Sequence, residues 1–286
     1  MTTLRNLLKD SSPIHVPLVL NPMMAKLAEA AGFQALYLGG GATGYLKCVT
    51  EANLNLTEMC QAALDIKSVC PLPLILDGAC GFGDPMHMHR TIGMTEAAGF
   101  DAIEIEDQHL PKRAHHHIGL EHCIPTELMC DKIKEAIAAR RSKDFIIIAR
   151  TNAARSLGLD EALRRAEAFA KAGADMLLVS AKTPDQVRII GEKVGRPLVL
   201  LASGDIQRAT GLSNADLKKL GYQLVIDAST PLMAIHKTLR ETYAALAKGD
   251  PAPNLGSGGA KAEQEHVHQT IGLDAMLAIE KRTVEK

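Results

Sequence analysis

The chain has 286 residues, enough for one large α/β barrel or two ordinary domains. Its 32 basic and 33 acidic residues leave a formal net charge of −1, so no long-range field draws it to nucleic acid or anionic lipid. The absence of Trp and the 3% aromatic content leave little surface for stacking bases, and no apolar run reaches the ~20 residues of a bilayer span.

In chain order, Met1-Thr-Thr-Leu-Arg-Asn6 lacks the apolar run of a signal peptide. The six cysteines (Cys48, Cys60, Cys70, Cys80, Cys123, Cys130) contain no C-x-x-C pair, which argues against a zinc cage or a disulfide framework. The expectation is a soluble, cytoplasmic protein with reduced thiols. A local pattern then recurs as Ala30-Ala-Gly-Phe-Gln-Ala-Leu-Tyr-Leu38, Ala97-Ala-Gly-Phe-Asp-Ala-Ile-Glu-Ile105 and Lys171-Ala-Gly-Ala-Asp-Met-Leu-Leu-Val179. A looser copy is Lys219-Leu-Gly-Tyr-Gln-Leu-Val-Ile226. Each copy reads as an amphipathic helix stopped by a glycine and followed by a short apolar strand. Further apolar runs at 16–20, 74–76, 145–149 and 198–201 bring the strand candidates to eight. Alternating strands and helices imply a parallel sheet, and eight units favour a (β/α)8 barrel over residues 1–248. An open doubly wound sheet would want a phosphate-cradling glycine loop after its first strand, where this chain has Asn21-Pro-Met-Met24. Residues 249–259 are Gly-, Pro- and Ser-rich and read as a linker, so 249–286 is expected to be a tether and a C-terminal helix.

In a barrel the C-terminal strand ends form the site. Those positions hold Gly39, Gly40 and Gly41, then Asp77, then Glu106 and Asp107, then Arg150, Thr151 and Asn152, then Ser180, then Ala202, Ser203 and Gly204. Carboxylates beside an arginine suit a hard cation and a substrate carboxylate together. After Gln108 runs a basic, histidine-rich loop long enough to be a lid. The plainer readings stay open: Asp77 and Glu106 as helix caps or ion-pair partners, Arg150 paired to Glu106 or Asp107, and His115, His116 and His117 as a surface run. Cys80 and Cys123 read as inert buried thiols, and the Met and His of 84–89 as the start of a helix.

Several of these segments in this order resemble the isocitrate lyase/phosphoenolpyruvate mutase superfamily, especially its methylisocitrate-lyase-like members. They are residues 25–33, Asp77-Gly-Ala-Cys-Gly-Phe-Gly83, Ile105-Glu-Asp-Gln108, Lys112-Arg113, His116 and Ala149-Arg-Thr-Asn-Ala153. The resemblance implies a Mg²⁺-dependent barrel, with Mn²⁺ as a substitute metal, acting on small 2-hydroxy or 2-oxo carboxylates. It implies Asp77 and Glu106 in the metal shell, Arg150 as a carboxylate clamp, and Gly39, Gly40, Gly41, Asn152 and Ser180 around the substrate. Lys112, Arg113 and His116 would arrive on the lid as catalytic groups. It also implies a homo-oligomer, a dimer or tetramer, in which the C-terminal helix is exchanged between subunits. The departures are specific: Ala114 stands where family lyases carry a lid cysteine, Ala79 where many carry a second metal-motif carboxylate, and Ser180 where a glutamate is common. The leading expectation is a carbon–carbon lyase. Oxaloacetate decarboxylase-like cleavage, which asks less of the lid, comes second, and a non-catalytic dicarboxylate-binding protein third.

Overall fold

Four glycines turn the chain from helix to strand. Gly32, Gly99, Gly173 and Gly221 have φ of +89°, +86°, +105° and +81°, a region where a Cβ is disfavoured. They stop the helices Pro22–Ala30, Met88–Ala97, Leu159–Ala172 and Asn214–Lys219. The computed structural model describes residues 3–9, 13–195, 197–202, 204 and 209–285. Its strands are β1 (Ile14–Pro17), β2 (Leu36–Leu38), β3 (Leu74–Asp77), β4 (Ala102–Glu106), β5 (Ile146–Thr151), β6 (Met176–Val179), β7 (Leu198–Ala202) and β8 (Tyr222–Asp227). All pair in parallel in the order β1-β8-β7-β6-β5-β4-β3-β2. A bridge between Leu18 and Tyr37, with the Val19 N–H donating to the Tyr37 carbonyl at 2.8 Å, joins the two ends into a ring. This is the (β/α)8 barrel expected from the repeat.

Side chains alternate faces along a strand, so register decides what meets at the centre. Asp77 pairs with Glu104 and Glu106 with Arg150 across neighbouring strands. Glu104 and Glu106, two apart on β4, therefore share a face, while Ile103 and Ile105 turn to the covering helices. All four ionisable residues are buried, with Arg150 9% exposed.

The chain divides into two compact units, the first ending at Thr230 and the second starting at Pro231. The second holds most of the helix Thr230–Leu246, then 247–258 without helix or strand, then the helices Gly259–Ile271 and Leu273–Thr283. The single helix expected after the linker is thus two, broken at Gly272, whose φ is +70°.

Candidate active site

The site forms where β2 to β5 end. Glu106 is gripped from three sides. Asn152 Nδ2 donates to its Oε2 at 2.7 Å, Gln108 Nε2 to the same oxygen at 3.3 Å, and Lys112 Nζ is paired to Oε1. Arg150 Nη1 donates to Glu104 Oε1 at 2.6 Å, and its Nε lies 3.1 Å from Asn152 Oδ1 and 3.5 Å from Glu106 Oε2. Ser180 Oγ donates to Asn152 Oδ1 at 2.6 Å. Asp77 Oδ2 accepts the Gly40 N–H at 2.9 Å and Oδ1 the Ala79 N–H at 3.0 Å. Ala79 itself has φ +45°, uncommon for a residue with a Cβ. Its carbonyl accepts the Glu106 N–H at 2.8 Å, tying the end of β3 to that of β4.

Above these groups is a cavity of about 280 Å³, lined in part by Gly39, Gly41, Asp77, Lys112, His116 and Arg150. The lid brings Lys112 onto Glu51 as well as Glu106, and His116 Nε2 to 3.3 Å from Glu51 Oε1. His116 Nδ1 lies 2.7 Å from the Arg113 carbonyl, so Nδ1 is the protonated nitrogen in the neutral ring and Nε2 faces the cavity chemistry. His117 Nδ1 and Nε2 meet Tyr45 Oη at 2.8 Å and Thr50 Oγ1 at 2.7 Å, and His115 pairs with His122 at 3.1 Å.

Several sequence expectations shift in detail. The glycine run starts a helix: Gly39 is the residue before Gly40–Leu46 and caps it. Asn152 and Ser180 lie buried beneath the cavity and hold Glu106 and Arg150 in place, rather than lining it. The Arg113 side chain is exposed and outside the cavity lining; its carbonyl is what the site uses. Asp107 is turned away, bonded by Thr151 Oγ1 at 2.7 Å and Arg165 Nη1 at 3.0 Å. Asp77 is a helix cap and a cavity wall at once. Ser203 and Asp205, beyond β7, lie outside the described residues. Glu51, Glu104 and Tyr37, whose hydroxyl donates to Glu104 at 3.3 Å, were not singled out from the sequence. Glu104 could have been, because a strand period of two from Glu106 reaches it.

Neither nearby thiol lines the cavity, and burial keeps both protonated. Burial pushes Cys123 up to about 12 and Cys80 higher still. Residues 84–89 do start a helix, Pro85–His87 leading into Met88–Ala97.

The donor set suits Mg²⁺. Asp77, Glu104, Glu106 and Glu51 face Arg150 and Lys112 in a buried space, an excess of two negative charges if all ionise. A Cβ on Gly40 would stand 3.2 Å from Glu51 Oε2 and 3.3 Å from Asp77 Oδ2, so these oxygens converge on a glycine-lined hollow. No three Asp, Glu, His or Cys side chains among the described residues come close enough to ligate one ion directly. A cation holding several of its own waters fits that spacing.

Burial pushes the Glu106 carboxyl up to about 8 and Glu104 up to about 7; Arg150 pulls both down, while Asp77 pushes them further up. Both therefore hold protons in the folded metal-free chain at a pH where unfolded glutamate, near about 4.3, has lost them. The resulting stability is complete below about 4.3 and is lost as pH rises through about 7 and 8. Burial lowers the Lys112 ammonium to about 6, with Arg150 adding to the push, and above that pH it works the other way. In chelator, the melting temperature is expected to fall between about pH 5 and 6, and the rise produced by saturating Mg²⁺ to grow with pH. A flat or rising metal-free profile over that interval would contradict the buried pair.

Residues 4–247 match the family model described as phosphoenolpyruvate phosphomutase. A 2,3-dimethylmalate lyase of Eubacterium barkeri is 33% identical over 255 residues, 86% of this chain and 86% of that one. A 2-methylisocitrate lyase of Aeropyrum pernix is 36% identical over 233 residues, covering 81% and 74%. A phosphonopyruvate hydrolase solved with oxalate and Mg²⁺ superposes with a TM-score of 0.84 at 30% identity, covering 98% of both chains.

Proposed function

The chain belongs to the phosphoenolpyruvate mutase/isocitrate lyase superfamily, and from that membership we propose a Mg²⁺-dependent carbon–carbon lyase for a small 2-hydroxy di- or tricarboxylate. The observation that carries this reading is the buried Arg150 flanked by Glu104, Glu106 and Asp77 beneath a cavity closed by a lid that brings in Lys112 and His116. Mg²⁺, when bound near Asp77, Glu106 and Glu51, supplies Lewis-acid charge for the oxygen on C2. Arg150 lines the cavity; its Nε and Nη1 are held by Asn152 and Glu104, and its Nη2 has no hydrogen-bond partner among the described residues. A guanidinium held this way binds a substrate carboxylate in one orientation. Backbone at Gly39 and Gly41 lets that group approach closely.

In the reaction the C2 hydroxyl loses its proton, C2–C3 breaks, and the carbanion at C3 takes up a proton. Ala114 has none to give. His116 Nε2 is the atom assigned to both transfers: its burial, which lowers its pKa, keeps the ring neutral and able to take the C2 hydroxyl proton, and the imidazolium so formed returns that proton to C3. Lys112, at the inner end of the same lid, is a second carrier and closes the site against water. Decarboxylation of a 2-oxo dicarboxylate is the second reading, favoured by Ala114 because it leaves the lid without its thiol. Dicarboxylate turnover with and without Mg²⁺ is expected to release pyruvate or glyoxylate from 2-hydroxy acids. Release of CO₂ from oxaloacetate alone would install the second reading, phosphonopyruvate cleavage would move the chain to phosphonate chemistry, and binding without turnover would leave a non-catalytic protein.

The same membership supports a homo-oligomer, a dimer or tetramer. The helices Gly259–Ile271 and Leu273–Thr283 bury no residue of their own and expose Val267, Ile271, Met276, Leu277 and Ile279. We assign that apolar surface to a second copy, an exchanged element being a low-cost route to a dimer. Ending the chain at Gly256 is expected to lower the mass seen by light scattering; an unchanged oligomer would remove the exchange. No helix among the described residues is long and apolar enough to cross a membrane. All six cysteines are unpaired, which supports a reducing compartment such as the cytoplasm.

A further inference from the structure

The wall of the cavity on the far arm of the lid carries a carboxylate that the proposed reaction does not use. Glu121 lines the same cavity as Asp77, Lys112 and Arg150, and its side chain is 1% exposed. Its Oε1 accepts Arg155 Nη1 at 3.0 Å. Its Oε2 is buried and has no hydrogen-bond partner. The described residues contain one other such atom, Arg5 Nε. Arg5 bonds to the Phe145 carbonyl and Asp175, at residues that precede β5 and β6 and so at the opposite end of the barrel. The pair is held firmly. The Arg155 N–H donates to the Asn152 carbonyl at 2.9 Å, and the Arg155 carbonyl accepts Lys182 Nζ at 2.7 Å.

A buried acceptor left unpaired is costly, and a ligand that supplies a donor recovers that cost. Arg150 and the carboxylate cluster hold the oxyacid end of the substrate at the strand ends, so what reaches Glu121 is the group carried beyond it. We propose that Glu121, oriented by Arg155, is a specificity residue that selects substrates whose C3 substituent is a hydrogen-bond donor, a hydroxyl or an ammonium. This rests on the oxyacid-lyase reading and narrows its substrate class. A methyl group there leaves Oε2 bare, and a carboxylate meets like charge, because the guanidinium beside it is already paired.

The test is calorimetric binding to the full chain with Mg²⁺, using ligands that differ only at C3: malate, 3-methylmalate, tartrate, 3-aminomalate and isocitrate. Each dissociation constant is divided by that of oxalate, which lacks the C3 portion. In the unaltered protein, 3-aminomalate and tartrate are expected to bind about tenfold or more tighter than 3-methylmalate, with isocitrate weakest. In Glu121→Gln the amide turns a donor toward the ligand, so the advantage of the ammonium is expected to shrink below about threefold while isocitrate gains. Equal ratios across the series in the unaltered protein, or an unchanged preference in Glu121→Gln, would overturn the assignment. The unaltered protein's ratios decide the matter even if the variant does not fold. No Mg²⁺-dependent oxalate binding at all would overturn the underlying oxyacid reading, and this assignment with it.

Discussion

Arg150→Ala is expected to lower unfolding stability by about 3–5 kcal/mol and to abolish measurable turnover, because it leaves the buried Glu104 and Glu106 without the guanidinium as donor when protonated and without its counter-charge when ionised. Glu104 loses the 2.6 Å bond from Nη1 and keeps only the Tyr37 hydroxyl at 3.3 Å. Glu106 loses the guanidinium at 3.5 Å. The two consequences separate in a double variant. Arg150→Met combined with Glu104→Gln removes the unpaired charge and fills the space with apolar atoms, so most of the stability should return. Activity should not, since no guanidinium remains for the substrate carboxylate. Denaturant unfolding and kcat/KM measured on the same samples check both. Activity recovered in the double variant would show that Arg150 is only structural.

Asp77→Asn is expected to lower kcat/KM by at least about 10³-fold and to remove most of the Mg²⁺-induced rise in melting temperature. The amide keeps the size of the side chain and one acceptor for the Gly40 N–H, now at 2.9 Å, so the helix Gly40–Leu46 should stay capped. What goes is one unit of negative charge beside Glu51 and Glu106. With Ala79 already lacking a carboxylate, little else can make up the difference. A variant that still responds to Mg²⁺ like the unaltered protein would place the cation elsewhere.

The barrel was legible because its signals are local. A glycine that must take positive φ after a helix, then a short apolar strand, is written four times, and each copy folds as written. The strand ends followed from it: Asp77, Glu106 and Arg150 are found together because residues at the ends of neighbouring parallel strands are brought to one rim. Less legible were partners reached by the lid. Glu51 precedes β3 on a short 3₁₀ turn, and nothing in its neighbours shows that Lys112 and His116, about sixty residues on, close upon it. Glu121 was equally silent, since an unpaired oxygen is a property of three-dimensional surroundings. Asn152 and Ser180 were placed near substrate by resemblance. Register sets them one layer lower, where they brace Glu106 and Arg150. Arg113 is exposed while its neighbour Lys112 turns inward onto Glu51 and Glu106, a choice that depends on lid partners distant in sequence.

The most direct measurement is a calorimetric titration of the unaltered protein with oxalate, carried out first in Mg²⁺ and then in chelator. Saturable binding is expected at one site per chain in Mg²⁺, at least about tenfold weaker in chelator, and lost in Arg150→Ala. Tight binding that ignores both Mg²⁺ and Arg150, or none under any condition, would mean that the rim bearing Asp77, Glu106 and Arg150 is not an oxyacid site.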